Sequence, residues 1–173
     1  MLLFIIGFMG SGKSYLGKRI APKLAYDFLD LDDYIEERTG RSISEIFIED
    51  GEVAFRQIES DCLKSLESQS QLVLATGGGT PCFFDNIHWM NQKGTTVFLD
   101  VITPILVQRL SSETEQRPLL AGRSAEELST FITQKVAERR PFYEKAQHIL
   151  KQEEVEMDMV GRFLEMITTI KAW

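Results

Sequence analysis

An apolar run followed by a glycine-rich segment and a lysine limits what the first part of the chain can form. Residues 2–6 are all apolar, and residues 7–14 match the pattern G-x-x-x-x-G-K-[ST]. In such a turn, glycines let successive backbone N–H groups point inward around phosphate oxygens, and the next helix adds the positive end of its dipole. We therefore predict a buried strand, a phosphate-binding loop and a helix, in that order, with a bound nucleotide.

The rest of the chain alternates short apolar runs with longer segments of helical periodicity, which is typical of βαβ units around a parallel sheet. Capping boxes begin at Ser42 and Ser124. The Thr103-Pro104 pair marks another helix start, and Pro141 should stop or kink a helix. The predicted strands are residues 2–6, 27–30, 72–75, 96–100 and 148–150. Further helices are predicted at residues 12–25, 50–68, 83–93, 125–139 and 155–172.

Length and charge bound the class of protein. The 173 residues are about the size of one domain, so residues 1–173 are assigned to a single domain. With 43% apolar and 26% charged residues, the composition is that of a globular protein. The 19 basic and 26 acidic residues give a net charge of -7, which repels nucleic acid and anionic membranes. We expect neither as a partner, and we expect a cytoplasmic monomer.

Targeting and metal-cluster signals are weak. Residues 1–6 are apolar, but no basic residue precedes them and Gly7 breaks the run. Cys62 and Cys82 lack the spacing of a zinc site, so we predict free thiols. Because the chain as a whole is acidic, an anionic ligand would need basic groups concentrated at one place.

Acidic residues follow the second predicted strand, at the edge where open α/β sheets bind ligands. Extended backbone would point Asp30 and Asp32 to the same side, one toward a metal and its waters and the other toward an acceptor hydroxyl. Asp33 is predicted to be the N-cap of the next helix. No aspartate ends the strand at residues 72–75, so magnesium support is assigned to Asp30, with Asp100 as the alternative.

A glycine cluster and several arginines indicate a site for a small anion. Residues 77–79 are three consecutive glycines, which favours close approach of the backbone to a ligand. Arg56 stands three residues before Glu59, which could hold its guanidinium in place or form a surface ion pair. Arg139 stands near a predicted helix end, from which a side chain can point into a cleft. Two guanidinium groups near such a turn favour a carboxylated acceptor.

The segment of residues 111–123 is polar and charged and carries Pro118 and Gly122. Its length and composition predict a mobile lid. Closure of the lid would exclude water and limit wasteful ATP hydrolysis. The acceptor-binding region is placed at residues 31–60.

Taken together, these features resemble the shikimate kinase family. The segments that carry the resemblance are residues 7–14, 28–32, 38–43, 51–52, 55–56, 59, 77–79, 117–120, 139, 141 and 143. The resemblance implies a nucleoside-monophosphate-kinase-like α/β fold of three layers with a five-stranded parallel sheet. It also implies phosphorylation of the shikimate 3-hydroxyl by ATP with Mg²⁺, giving shikimate 3-phosphate on the route to aromatic amino acids.

Carried over by position, the resemblance implies a role for each candidate residue. The residues expected to bind shikimate are Asp32, Arg56, Gly77, Gly78, Gly79 and Arg139, with the two arginines on its carboxylate. The residues expected to bind ATP are Gly10, Ser11, Gly12, Lys13, Ser14, Tyr15, Arg109 and Arg117. Mg²⁺ would be held by Ser14 and, through water, by Asp30. Lys13, Asp32 and Arg117 would be catalytic, with Asp32 orienting the hydroxyl and accepting its proton.

Some assignments stay open at this point. Residues 151–154 are Lys-Gln-Glu-Glu, where family members commonly show a more basic or Asp-containing adenine loop, so the base contacts are not assigned. Phe47 and Phe55 could wall the acceptor pocket or pack in the core. A gluconate or nucleoside monophosphate kinase of the same fold is one alternative function, and a non-catalytic nucleotide-binding module is another.

Overall fold

The computed structural model describes residues 1–111 and 124–171, and these residues form a five-stranded sheet. The strands are β1 (Leu2–Ile6), β2 (Asp27–Asp30), β3 (Leu72–Ala75), β4 (Gly94–Val101) and β5 (His148–Gln152). Neighbouring strands are all parallel, in the order β2-β3-β1-β4-β5. The five strand predictions are confirmed, although β4 and β5 extend beyond their predicted ends.

Helices connect the strands and flank the sheet. They are α1 (Lys13–Leu24), α2 (Leu31–Thr39), α3 (Ile43–Glu49), α4 (Gly51–Ser65), α5 (Asn86–Lys93), α6 (Thr103–Ser111), α7 (Ala125–Tyr143) and α8 (Met159–Lys171). A short 3₁₀ turn spans Thr80–Cys82. All five residues of the central strand β1 are buried, which requires cover on both faces of the sheet. The predicted α/β fold with a parallel sheet is confirmed.

Four predicted helix ends are wrong. Helix α4 ends at Ser65 and not at residue 68, because the N–H groups of Leu66 and Glu67 donate to carbonyl oxygens three residues back in a turn. Helix α7 does not stop before Pro141 but runs through it to Tyr143, whose hydroxyl donates to the Gly78 carbonyl oxygen and so offsets the hydrogen bond that proline cannot make. Helix α5 begins at Asn86 and not at residue 83, because Phe84 has a φ of 49°, outside the right-handed helical region. Helix α8 begins at Met159 and not at residue 155.

The helix caps are confirmed at two positions and corrected at a third. Reciprocal capping boxes form between Ser42 and Glu45 and between Ser124 and Glu127. Asp33 is not an N-cap: β2 passes directly into α2, and Asp30 caps the helix by accepting a hydrogen bond of 3.0 Å from the Asp32 N–H. Asp32 is therefore helical, and the predicted alternation of an extended chain does not apply to it.

Residues 112–123, which hold most of the predicted lid together with Arg117, lie outside the described residues. Ser111 is the last residue of α6. None of the described helices is long and apolar enough to cross a membrane. Both cysteines are free thiols, as predicted.

Candidate active site

The candidate residues gather at the carboxyl edge of the sheet. Strand β1 leads into the loop of residues 7–14, its neighbour β3 leads into residues 76–79, and the next strand β2 ends at Asp30. Because parallel strands end at the same edge, segments far apart in sequence become neighbours there. The topology therefore brings the phosphate-binding loop, the glycine cluster and the aspartates together.

The loop has the backbone shape that its glycines predict. Gly7, Gly10 and Gly12 have φ values of 148°, 75° and 90°, which residues other than glycine rarely adopt. Lys13 begins α1, and its Nζ donates to the carbonyl oxygens of Gly7 at 3.0 Å and Phe8 at 2.9 Å. The ammonium group is therefore folded over the loop, where a phosphate would lie.

A cavity of about 640 Å³ opens above this loop, and we call it the P-loop cavity. It is lined by residues 9–16, 30, 32, 76–78, 99, 109, 152 and 155–160. All the predicted nucleotide-binding residues that the structure describes lie on its wall. Among them, Arg109 donates to the carbonyl oxygens of Gly10 at 3.2 Å and Ser11 at 3.3 Å.

The predicted metal-binding pair is in contact. The Ser14 hydroxyl donates a hydrogen bond to Oδ2 of Asp30, and both residues line the P-loop cavity. The alternative carboxylate, Asp100, does not line the P-loop cavity. Its Oδ1 is 2.6 Å from Nη2 of Arg140, in an ion pair at a separate part of the surface.

A second cavity of about 430 Å³ adjoins the first, and we call it the arginine cavity. It is lined by Met9, Asp32, Ile43, Ser44, Phe47, Ile48, Phe55, Arg56, Glu59, residues 77–79 and Arg139. The rings of Phe47 and Phe55 contact each other, with centroids 4.4 Å apart. Both predicted carboxylate-binding arginines therefore face one space with an apolar wall.

The ion pair of Arg56 with Glu59 is buried, and a second pair joins Nη2 of Arg56 to Oε1 of the more exposed Glu52 at 3.3 Å. Nη1 of Arg56 is 2.9 Å from Oε2 of Glu59, whose side chain is almost wholly shielded from solvent. The Thr80 hydroxyl donates to the other carboxylate oxygen of Glu59 at 2.6 Å. A Cβ at Gly79 would lie 2.6 Å from Nη1 of Arg56, so the glycine leaves room for this guanidinium.

Arg139 reaches the cavity from within α7, not from a helix end as predicted. Its guanidinium lies 5.6 Å from the centre of the Phe8 ring. One turn later, the hydroxyl of buried Tyr143 donates to the carbonyl oxygen of Gly78 at 2.6 Å. The continuation of α7 through Pro141 therefore fixes the helix against the glycine turn.

Asp32 lies on the wall of both cavities. Burial raises the pKa of its carboxyl from 3.8 to about 6, and the negative charges of Asp30 and Glu59 add to this shift. Lys13 and Arg56 act in the opposite direction. A carboxyl group with this pKa can change protonation state near neutral pH, which suits a general base.

Some residues of the site were left without an assigned contact by sequence reasoning, and others were missed. Gln152 is 3% exposed and donates and accepts hydrogen bonds on the wall of the P-loop cavity. Residues 155–160 continue that wall, although 155–158 were predicted to be helical. Thr80, whose hydroxyl donates to Glu59, directly follows the glycine cluster but was given no role. The available signal was position, since β5 and β3 end at the same edge as β1.

The two cavities share four lining residues, which are Met9, Asp32, Gly77 and Gly78. One cavity presents a phosphate-binding loop with a lysine, and the other presents two guanidinium groups beside aromatic rings. This arrangement defines a class of protein: a P-loop kinase whose acceptor is a small anionic molecule.

Comparison with known proteins gives the family. The family model described as shikimate kinase matches residues 9–168. A shikimate kinase of Phocaeicola vulgatus is 47% identical over 89% of this chain and 88% of its own length. The crystal structure of a shikimate kinase from Bacteroides thetaiotaomicron superposes with a TM-score of 0.91 and 42% identity, covering 97% of this chain and 98% of that one. A shikimate kinase from Acinetobacter baumannii in complex with shikimate gives a TM-score of 0.86 and 33% identity, covering 98% and 94%.

The chain belongs to the shikimate kinase family. The resemblance seen in the sequence is confirmed, and the predicted enzyme class is confirmed with it. Membership of this family makes the protein an ATP-dependent kinase.

Proposed function

We propose that this enzyme transfers the γ-phosphoryl group of ATP to the 3-hydroxyl of shikimate, with ATP in the P-loop cavity and shikimate in the arginine cavity. The observation that carries the proposal is the junction of the two cavities at Met9, Asp32, Gly77 and Gly78. A phosphoryl group at the loop and a hydroxyl at this junction would be close enough for direct transfer. The relative solved with shikimate supports the choice of acceptor.

The arginine cavity suits a small ring that bears one carboxylate and several hydroxyls. Arg56 and Arg139 would bind the carboxylate, since a planar guanidinium pairs with a carboxylate through two parallel hydrogen bonds. Phe47 and Phe55 offer apolar surface to the ring. Residues 77–79 let the backbone approach the ligand closely.

Transfer then requires neutralised charge and an oriented hydroxyl. The backbone N–H groups of the loop and the Lys13 ammonium would bind the phosphates, whose charge spreads over several oxygens during transfer. Asp32 would accept a hydrogen bond from the shikimate hydroxyl and then its proton. The proposed role of Arg117 in contacting the transferring group stays a prediction, because that residue lies outside the described part of the chain.

The residues at the loop fit Mg²⁺. In residues 1–111 and 124–171, no group of three or more His, Cys, Asp and Glu side chains is placed to hold a metal ion. Mg²⁺ does not need such a group, because it keeps several waters and binds one or two protein oxygens together with substrate phosphates. We propose that Ser14 binds the ion directly and that Asp30 binds it through a water molecule. When bound there, the ion would neutralise phosphate charge.

Other expectations stay predictions. They are a single domain over residues 1–173 with an acceptor region at 31–60 and a lid at 111–123, a monomeric state, a cytoplasmic location, and no nucleic-acid or membrane partner.

An ADP-release assay tests the proposed function. Purified protein is incubated with ATP and Mg²⁺, and ADP is measured with shikimate, gluconate or a nucleoside monophosphate as acceptor. We expect ADP release that depends on shikimate and stops when EDTA removes Mg²⁺. Greater release with gluconate or a nucleoside monophosphate would favour another small-molecule kinase. ATP binding without acceptor-dependent release would identify a binding module instead.

A further inference from the structure

The last residue of β5 is a buried glutamine at the edge of the P-loop cavity. Gln152 is 3% exposed, and its Oε1 accepts a hydrogen bond of 3.1 Å from Nη2 of Arg109. Its Nε2 donates to the carbonyl oxygens of Glu154 at 3.2 Å and Val155 at 3.3 Å. One side-chain amide therefore joins α6 to the turn that follows β5.

Chemistry fixes the orientation of this amide. The Arg109 guanidinium only donates hydrogen bonds, and the two carbonyl oxygens only accept them. Glutamine carries one acceptor oxygen and one donor nitrogen, so a single orientation satisfies all three contacts. Glutamate has no donor for the carbonyl oxygens when ionised, and methionine lacks the amide altogether. Of these three side chains, only glutamine satisfies all three contacts.

Arg109 extends the connection to the phosphate-binding loop. The same guanidinium that Gln152 binds also donates to the carbonyl oxygens of Gly10 and Ser11. On the far side of Gln152, residues 155–160 form the wall of the P-loop cavity. With the phosphates at the loop, the nucleoside part of a nucleotide would lie toward Arg109, Gln152 and residues 155–160.

We propose that Gln152 is a positioning residue for the nucleoside part of the nucleotide. It holds Arg109 in place and sets the turn of residues 153–155, so both are ordered before the nucleotide binds. This inference rests on the proposed binding of ATP in the P-loop cavity. Groups that are already ordered lose less conformational freedom on binding, so the amide increases affinity without a direct contact to the nucleotide.

The test compares two glutamines of the same segment in the full-length protein. Gln152→Met removes the amide at the carboxyl end of β5. Gln147→Met makes the same chemical change just before β5, where the amide accepts from the Thr96 N–H at 3.1 Å and donates to the Asn91 carbonyl oxygen at 3.1 Å. Gln147 lines neither cavity, so it controls for the loss of a bridging amide.

Calorimetry with ADP and with inorganic pyrophosphate separates the nucleoside end of the cavity from the loop. We expect Gln152→Met to raise the Kd for ADP about tenfold, because the hydrogen bond to a charged group and both bonds to the turn are lost. Pyrophosphate, which reaches only the loop, should bind within about twofold of wild type. Gln147→Met should bind both ligands as wild type does. In steady-state kinetics, the KM for ATP should rise while kcat and the KM for shikimate stay constant.

Two results would overturn the inference. One is unchanged ADP binding in Gln152→Met, and the other is an equal loss of pyrophosphate and ADP binding, which would assign Gln152 to the loop itself. If the methionine variant does not fold, Gln152→Glu replaces it, and the KM for ATP should rise about threefold because the donors are lost. Wild-type protein that binds ADP but releases none with shikimate would refute the proposed function and leave the positioning role standing.

Discussion

The P-loop cavity and the arginine cavity meet at one wall but are built in different ways. The phosphate-binding end of the first is formed by residues 9–14 of one continuous loop, residues 7–14, in which three glycines have positive φ values. The second is formed by side chains from α3, α4 and α7 that converge on residues 77–79. A continuous segment can be recognised by its pattern, whereas an assembled cavity depends on which elements become neighbours.

The difference also predicts which step each cavity controls. Groups of the phosphate-binding loop, at one end of the P-loop cavity, act on the phosphates, whose charge distribution changes during transfer, so their loss should lower kcat. Groups in the arginine cavity would bind a carboxylate that does not react. Their loss should raise the KM for the acceptor with less effect on kcat.

The largest effect is expected for Lys13→Ala. Because it removes a preorganised positive charge from the phosphates, kcat should fall by at least about 10²-fold, or about 3 kcal/mol of transition-state stabilisation. Lys18→Ala is the matched control, since Lys18 is exposed on the same helix. Steady-state ADP release measures both variants. Near-normal turnover of Lys13→Ala would refute the role of the lysine.

Arg139→Ala should show the opposite kinetic pattern. Loss of a charge-assisted bidentate contact should raise the KM for shikimate about 10²-fold, while the KM for ATP changes by less than about twofold. Arg140→Ala is the control, because the guanidinium of this neighbouring residue pairs with Asp100 and lines neither cavity. An unchanged KM for shikimate would show that Arg139 does not bind the carboxylate. An equal rise in the KM for ATP would show that the two cavities do not bind the two substrates separately.

The sequence predicts this fold well where the signals are local. The apolar strands and the capping boxes at Ser42 and Ser124 depend on nearby residues, and all of them form. The end of α7 was mispredicted because a tertiary contact, from Tyr143 to Gly78, lies beyond Pro141. The hydrogen bond of Gln152 with Arg109 was missed for the same reason, since it depends on β5 lying beside β4, which leads into α6.

Residues 77–79 show how far sequence reasoning reaches within the site itself. Three glycines predicted that a ligand approaches the backbone closely, and this stays a prediction. At Gly79 the group that the structure places against the backbone is the Arg56 guanidinium. Composition can show that space is needed at a position, but the partner that fills the space is defined by the packing of α4 against the turn.

Gly79→Ala tests that packing with a smaller expected effect. Gly79 has φ and ψ of -91° and -20°, which alanine adopts readily, so backbone strain does not contribute, and the three nearest protein atoms to the new Cβ all belong to the Arg56 guanidinium. Displacement of the guanidinium should raise the KM for shikimate about tenfold. Gly79 does not line the P-loop cavity, so the Kd for ADP serves as the internal control. A wild-type KM would mean that Arg56 adjusts without loss, and the turn would not set its position.

The smallest expected change concerns stability and involves Asp32, which both cavities share. Its pKa is raised to about 6 in the folded protein from 3.8, so the folded state binds more protons than the unfolded state between these values. Stability contributed by this group therefore falls as pH rises from about 4 to 6, and the full cost persists above pH 6. Asp32→Asn should remove that cost and raise the free energy of unfolding at pH 7.5 by about 1 to 2 kcal/mol, with little gain at pH 4.

Denaturant unfolding of the ligand-free protein at both pH values measures this change, and Asp33→Asn is the matched control, because Asp33 is exposed in the same turn of α2. A gain in Asp32→Asn that is equal at both pH values would show that the carboxylate charge is not its source. A loss of stability at pH 7.5 would show that the negative charge is favourable at the junction. In either case the pKa of Asp32 would not be raised at the junction of the two cavities, and its carboxylate would be a weaker base there.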